Sequence, residues 1–374
     1  MSDSRASTRA SVSSSFTPEA TPPHSPDLVP SPPPIKRVEF DADGDLLLRL
    51  GSETPDGIEY EHEFKVCSAT LRRSSVVWKR MLFGPWMEAK PTGGKWTVSL
   101  PDDKPKPFEI ILNIIHSRFQ LVPRSPSRRL LYGILVITNK YDLVHFLQPW
   151  AKDWMQAAKS DSPNLRLSGP CSHMWLTYIS WELGDEETFT KGVKKILLHT
   201  TVDEDGELTF YGIHFAEMEC VGPPDLGDRI LENRNLVMTA ILRSVNSEIV
   251  RRLALNVTAC HIQDALPSDQ KACNNAILGC LWRQMIHYRG ALPPTSATEV
   301  SESISSFLSS LDLVFSRLQS IDCVHSSACL PVNQAPNFAP DLEFETEWFT
   351  CIKDSHKEYM QAQRLKTGLS ASGE

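Results

Sequence analysis

Residues 64–100 read FKVCSATLRRSSVVWKRMLFGPWMEAKPTGGKWTVSL, and this stretch decides the fold. Just before it and into it, Tyr60, His62, Phe64 and Val66 alternate with Glu59, Glu61, Glu63 and Lys65. Period 2 with one charged face predicts a half-buried strand. Ser68–Arg73 and Val76–Phe83 then carry apolar residues at helical spacing. Pro91–Lys95 supplies a turn, and Trp96, Val98 and Leu100 alternate as a further strand. A strand, two short helices and a returning strand describe a compact interaction module, not a catalytic cleft.

On the amino-terminal side, Leu46, Leu48 and Leu50 alternate along another strand, and Ser52–Gly57 supplies turn chemistry. Together with the run from Tyr60 they predict an antiparallel hairpin. On the carboxyl side, Phe108, Ile111, Leu112 and Ile115 fall at i, i+3, i+4 and i+7 in a helix over Pro105–Arg118. Pro105 and Pro107 stand at its start, where a missing N–H costs little. Pro126–Tyr141 is apolar around most of its girth, so it is expected buried. Leu143–Leu147 and Pro149–Lys159 complete the unit.

These residues, taken in order, resemble the BTB (POZ) domain in the form found in fungal proteins. The resemblance rests on Asp43-Gly44-Asp45, then Phe64, Cys67 and Leu71, Ser75 and Trp78, and Met81-Leu82-Phe83. It continues through Leu100–Asp103, Ile115-His116, Asn139–Asp142, Leu147, Pro149-Trp150 and Trp154. It covers about residues 40–156. It implies an α+β BTB/POZ fold, a short three-stranded sheet with a helical cluster, followed by a mostly α-helical second region. It also implies a non-enzymatic scaffold or adaptor that associates with itself or with a partner. Leu71, Val76, Val77 and Trp78 on the first two helices are the expected interaction residues, with Trp78 open to a core reading. A substrate adaptor of a cullin-RING ubiquitin ligase is the alternative function. The chain departs from the family pattern twice: Cys67 stands where many members have His, and no Glu lies between Ser117 and Arg124 to complete the segment that helps some members grip the cullin scaffold, which weighs against the adaptor alternative.

Composition divides the rest. Residues 1–37 form a Ser/Pro-rich tail with too little apolar surface to offset ordering, so disorder is expected. Thr17-Pro18, Thr21-Pro22, Ser25-Pro26 and Ser31-Pro32 suit proline-directed phosphorylation, or simply belong to a solvated spacer. The BTB-like unit is expected over 38–160, a helical domain over 165–330, and a loop with a peripheral helix over 331–374. Within the helical domain, Met174–Leu183, Glu186–His199, the four-residue repeat Val237, Ile241, Val245, Ile249, Leu253, and the row Ile304, Phe307, Leu308, Leu311, Phe315, Leu318 read as helices. Glu207–Tyr211 reads as a short strand, and Glu343–Arg364 as the final helix.

The net charge of -8 argues against a general nucleic-acid binder. Nine scattered cysteines show no disulfide framework, and the polar amino-terminal stretch lacks a secretory h-region. No apolar run reaches about 18 residues, so no membrane span is expected. An intracellular location, cytoplasmic or nuclear, follows as the expectation. P-loop, Rossmann, nucleophile-elbow and zincin templates are absent. Cys67 and His62 read as packing residues, His116 as a helix-end residue that caps or packs, and the acidic clusters 185–187 and 203–205 as solvated loop or helix-start charges, the first well placed for a helix N-terminus. One metal reading stays open. His325 and Cys329 lie one helical turn apart, and with Cys260 and Cys273 they would form a Cys3His structural zinc site. Cys280 and Cys323 are substitutes, and four metal-free residues are the alternative.

Overall fold

The computed structural model describes residues 35–54, 57–160, 171–217, 221–253, 266–289, 294, 296–318 and 351–369. The architecture is mixed α+β: a small sheet carried by a helical cluster, then a second, mainly helical region. The first sheet has four strands, β1 (Lys36–Glu39), β2 (Leu46–Thr54), β3 (Gly57–Val66) and β4 (Thr97–Leu100), in the order β1-β3-β2-β4. β2 and β3 form the expected antiparallel hairpin, with Leu48 opposite Phe64 and Leu46 opposite Val66. β4 runs parallel to β2, with Val98 beside Leu48 and Leu100 beside Leu50. These apolar residues make one buried face.

The sheet corrects the expectation of three strands. β1 lies parallel to β3, Arg37 beside Glu63. Its sequence, KRVE, has no apolar alternation, so periodicity gives no sign of it. Charge pairing takes the place of an apolar face: the nearly buried Glu63 carboxylate meets Arg37 Nε at 3.1 Å and Arg49 Nε at 3.2 Å. A charged edge strand also blunts the exposed row of backbone groups.

Helices α1 (Ser68–Ser74), α2 (Val76–Phe83), α3 (Pro105–Ile115), α4 (Arg128–Lys140) and α5 (Gln148–Ser160) cover the sheet and one another. α3 starts on two prolines and buries every residue from Ile110 to Ile115. It passes so close to α4 that a Cβ on Gly133 would sit 2.7 Å from Pro107 Cγ. Ser127 caps α4, its hydroxyl accepting from the Leu130 amide. Arg128, buried at the start of α4, donates from Nε and Nη2 to the Ala158 carbonyl near the end of α5, and from Nη1 to Ser172 Oγ.

The second region holds α6 (Cys171–Leu183), α7 (Glu186–His199), α8 (Leu226–Leu253), α9 (Pro267–Arg289), α10 (Ile304–Leu318) and α11 (Asp354–Thr367). Val237, Ile241, Val245 and Ile249 of α8 and Ile304, Phe307, Leu308 and Leu311 of α10 are buried, as their spacing predicts. The cluster 185–187 is a helix start: Asp185 Oδ1 accepts from the Thr188 amide. Asp203 Oδ1 accepts from the amides of Asp205 and Glu207 in a turn. The expected strand near Glu207–Tyr211 is the centre of a three-stranded sheet, β5 (Thr200–Val202), β6 (Leu208–Phe210) and β7 (Ile213–His214).

α11 corrects a second expectation. It is not peripheral. Tyr359 stacks on Trp181 of α6 with ring centroids 4.3 Å apart. Its hydroxyl meets Asn139 of α4 at 3.3 Å, and Thr367 Oγ1 donates to the Leu183 carbonyl. α11 therefore packs on both regions at once. Met360 is its one fully buried aliphatic side chain, and most of its other contacts are polar or aromatic, which is why an apolar count reads it as loosely attached.

Candidate interaction surface

The break between α1 and α2 is a single residue. Ser75 is extended (φ -142°, ψ 134°), ends α1 and begins α2. Its hydroxyl accepts from the Trp78 amide at 3.0 Å and donates to the Tyr141 carbonyl at 2.6 Å. That bond ties α2 to the end of α4. Trp78 then stacks on Tyr141 at 4.4 Å and meets Phe108 edge-on at 6.1 Å. Full burial of an indole contributes roughly 3 kcal/mol.

This geometry sorts the four expected interaction residues. Leu71 and Trp78 are fully buried and belong to the core. Val76 and Val77 face outward, 54 % and 36 % exposed. The correction has a periodic cause. Within α2, Trp78 and Leu82 lie four residues apart on the inner stripe, and Leu71 is the inner residue of α1. Val76, Lys79, Arg80 and Phe83 fall on the outer one.

The outer stripe continues through Phe83 into Trp86 and Met87, which carry no periodic signal. Phe83 is partly exposed, Trp86 is 61 % exposed, and Met87 stands free of the surface. The turn carrying them is pinned. A Cβ on Gly84 would sit 2.3 Å from the Arg80 carbonyl oxygen, so only glycine lets the chain fold back there. The Lys90 amide donates to the Leu82 carbonyl, and Trp96 Nε1 donates to the Glu88 carbonyl. Five exposed large apolar side chains thus lie within twelve positions. The signal available in sequence was charge: every charged residue between Ser68 and Met87 is basic. Arg72 lies over the Phe83 ring, 4.9 Å from its centroid.

The other expected residues resolve one by one. His116 caps α3: its Nδ1 lies 3.0 Å from the Leu112 carbonyl oxygen and its Nε2 accepts from the Cys67 amide at 3.3 Å. That pattern is a neutral imidazole, and burial holds its pKa below the ordinary histidine value. His62 packs edge-on against Phe64. Cys67 is a half-buried free thiol at the start of α1. In the segment 117–124, Phe119 and Leu121 are exposed on a short 3-10 turn, with Phe119 beside Trp150.

Of the zinc set, Cys260, His325 and Cys329 lie outside the described residues, as do Cys323 and the Ser/Thr-Pro pairs. Cys273 is buried within α9, and half-buried Cys280 lies seven residues on in the same helix. Among the described residues no group of three or more His, Cys, Asp or Glu converges as a metal site. Among them, too, no helix is long and apolar enough to cross a membrane.

Compared with protein-family models, with curated proteins and with solved structures, the chain matches none.

Proposed function

We propose that this chain is a non-enzymatic interaction protein whose amino-terminal unit, similar in sequence to the BTB (POZ) domain, docks on another protein through the α1–α2 face. One observation carries the reading: Val76, Val77, Phe83, Trp86 and Met87 stand exposed on an ordered, pinned surface while Leu71 and Trp78 beneath them are core. Exposed apolar side chains grouped beside charge are a usual mark of a protein-binding site. The aromatic and Met side chains among them supply the large, desolvatable area that anchors such contacts. A photo-crosslinking residue at Val77 of the full chain, expressed in its own cells, tests this. The expected result is a discrete protein adduct that a crosslinker at exposed Lys357 of α11 does not give. Identical products from both positions would overturn the reading.

A second reading is the cullin-RING adaptor. Exposed Phe119 and Leu121 in the segment 117–124 favour it, and the missing Glu there weighs against it. Binding of the purified chain to a cullin scaffold, lost on Phe119→Ala, supports it. Absence of binding removes it.

A further inference from the structure

We propose that the α1–α2 face receives an acidic segment of a partner protein carrying apolar anchors, and not a second copy of this chain. This rests on the interaction reading above and names the partner's chemistry. Arg72, Arg73, Lys79 and Arg80 all lie exposed around the apolar row. None of the four forms an ion pair with a described residue, although twelve pairs between Lys or Arg and a carboxylate occur elsewhere among the described residues. A chain with net charge -8 has carboxylates to spare, yet the stretch from Ser68 to Met87 holds none. Along α1 and α2 the charge is therefore wholly positive; the flanking acids are Asp45, held by Ser68 and Lys90, and Glu88.

The geometry matches an extended or helical acidic segment. Val76, Arg80 and Phe83 follow one another along one face of α2, about 10 Å from end to end at the rise of an α-helix. Arg72 over Phe83 sets a guanidinium against the edge of the apolar row, where a carboxylate would find it partly stripped of water. An acidic segment with a large apolar residue every second or third position fills the row and pairs the rim together. Charge complementarity of this kind raises the rate of encounter and rejects wrong partners. Symmetric pairing of two copies would instead place four cations against four cations, which disfavours it. Nucleic acid and anionic lipid offer negative charge too, but the net negative charge of the whole chain opposes both extended polyanions.

Fluorescence polarisation of the full chain tests this with three synthetic peptides of about 12 residues, long enough to overrun the row in either conformation. One alternates Asp or Glu with Leu, Phe and Trp; one replaces the acids with Lys; one keeps the acids and replaces the apolar residues with Ser. The first is expected to bind, more weakly on raising salt to about 0.3 M. The other two are expected to bind roughly tenfold or more weakly. Arg72→Glu with Arg80→Glu is expected to cost a similar factor at an unchanged melting midpoint. Val76→Ser with Trp86→Ser is expected to cost as much.

If the charge-reversed chain binds as the parent does while the apolar variant fails, the face is an interaction surface for a neutral partner. This inference then falls and the interaction reading stands. If neither variant loses binding, or no peptide binds, both fall. Binding to phosphatidylserine vesicles without binding to the acidic peptide overturns the proposal in favour of a membrane. A dimer by light scattering that Val76→Ser with Trp86→Ser dissolves overturns it in favour of a second copy.

Discussion

The Tyr359 hydroxyl lies 3.2 Å from both carboxylate oxygens of Glu182. Asn139 Nδ2 donates to Oε1 at 3.0 Å and Gln363 Nε2 to Oε2 at 3.1 Å, and Tyr178 also bonds the group. Among the described residues no cation joins them. Burial, the largest influence, pushes the Glu182 carboxyl up to about 7 despite these hydrogen bonds. An acid harder to ionise when folded holds its proton more tightly in the folded state. Between about pH 4.5 and about 7 the folded chain keeps a proton the unfolded chain has released, so stability falls as pH rises across that window. The effect is on the order of 3 kcal/mol at most. Urea midpoints at the two ends of the window should differ more for the parent than for Glu182→Gln. Parallel pH profiles would refute the assignment.

Gly184 adopts a left-handed conformation (φ +83°) where α6 ends, and α11 crosses directly above it. A Cβ there would lie 2.4 Å from the Met360 carbonyl oxygen and 2.5 Å from the Arg364 amide nitrogen. Gly184→Ala meets both backbone strain and a backbone clash. It should destabilise by about 2–4 kcal/mol, concentrated in the seating of α11. Hydrogen exchange should accelerate in residues 354–367 before it does in β2 and β3. Unchanged protection of α11 would show that the crossing is softer than its geometry.

Arg128 joins three helices by hydrogen bonds from a buried guanidinium. Arg128→Met keeps most of the volume but leaves the Ala158 carbonyl and Ser172 hydroxyl without this donor. A loss of about 2–3 kcal/mol follows from the strength of charge-assisted bonds and the cost of a buried orphan acceptor. Chemical denaturation should show it as a lower midpoint. A change within about 0.5 kcal/mol, the range of ordinary surface substitutions, would mean water replaces the guanidinium.

Ser75→Ala removes the cap of α2 and the donor to the Tyr141 carbonyl in one step. A cap contributes about 1 kcal/mol and a buried hydrogen bond about as much, so the expected loss is about 2 kcal/mol. Because Ser75 sets the direction in which α2 leaves α1, the variant should also weaken partner docking on Val76 and Phe83. Near-ultraviolet circular dichroism of the Trp78–Tyr141 stack reports the shift. An unaltered spectrum with parental stability would contradict the role given to Ser75.

Sequence was most informative where burial is one-sided. Leu46, Leu48 and Leu50, and Phe64 and Val66, declare their faces by alternation. The four-residue repeat of α8 does the same for a helix. It was least informative where polar groups replace apolar ones. β1 is held by Arg37 on Glu63, and α11 by Tyr359, Gln363 and His356, none of which carries an apolar period. Val76 and Trp78 differ by two positions yet face opposite ways, because two positions of an α-helix turn through about 200°. The basic character of residues 68–87 was visible in sequence, but only the exposed setting of Arg72, Lys79 and Arg80 makes it a surface property.

Asn139 and Tyr359 touch across 220 positions of chain. At a synthesis rate near ten residues per second, α4 and α6 emerge about 20 s before the helix that covers them. For that interval the indole of Trp181 and the carboxyl of Glu182 have no lid, and the nascent chain presents an unfinished groove to whatever shares the ribosome exit. α11 thus makes closure of these contacts a late event in synthesis. A chain lacking α11 would keep the sheet and leave Trp181 and Glu182 uncovered.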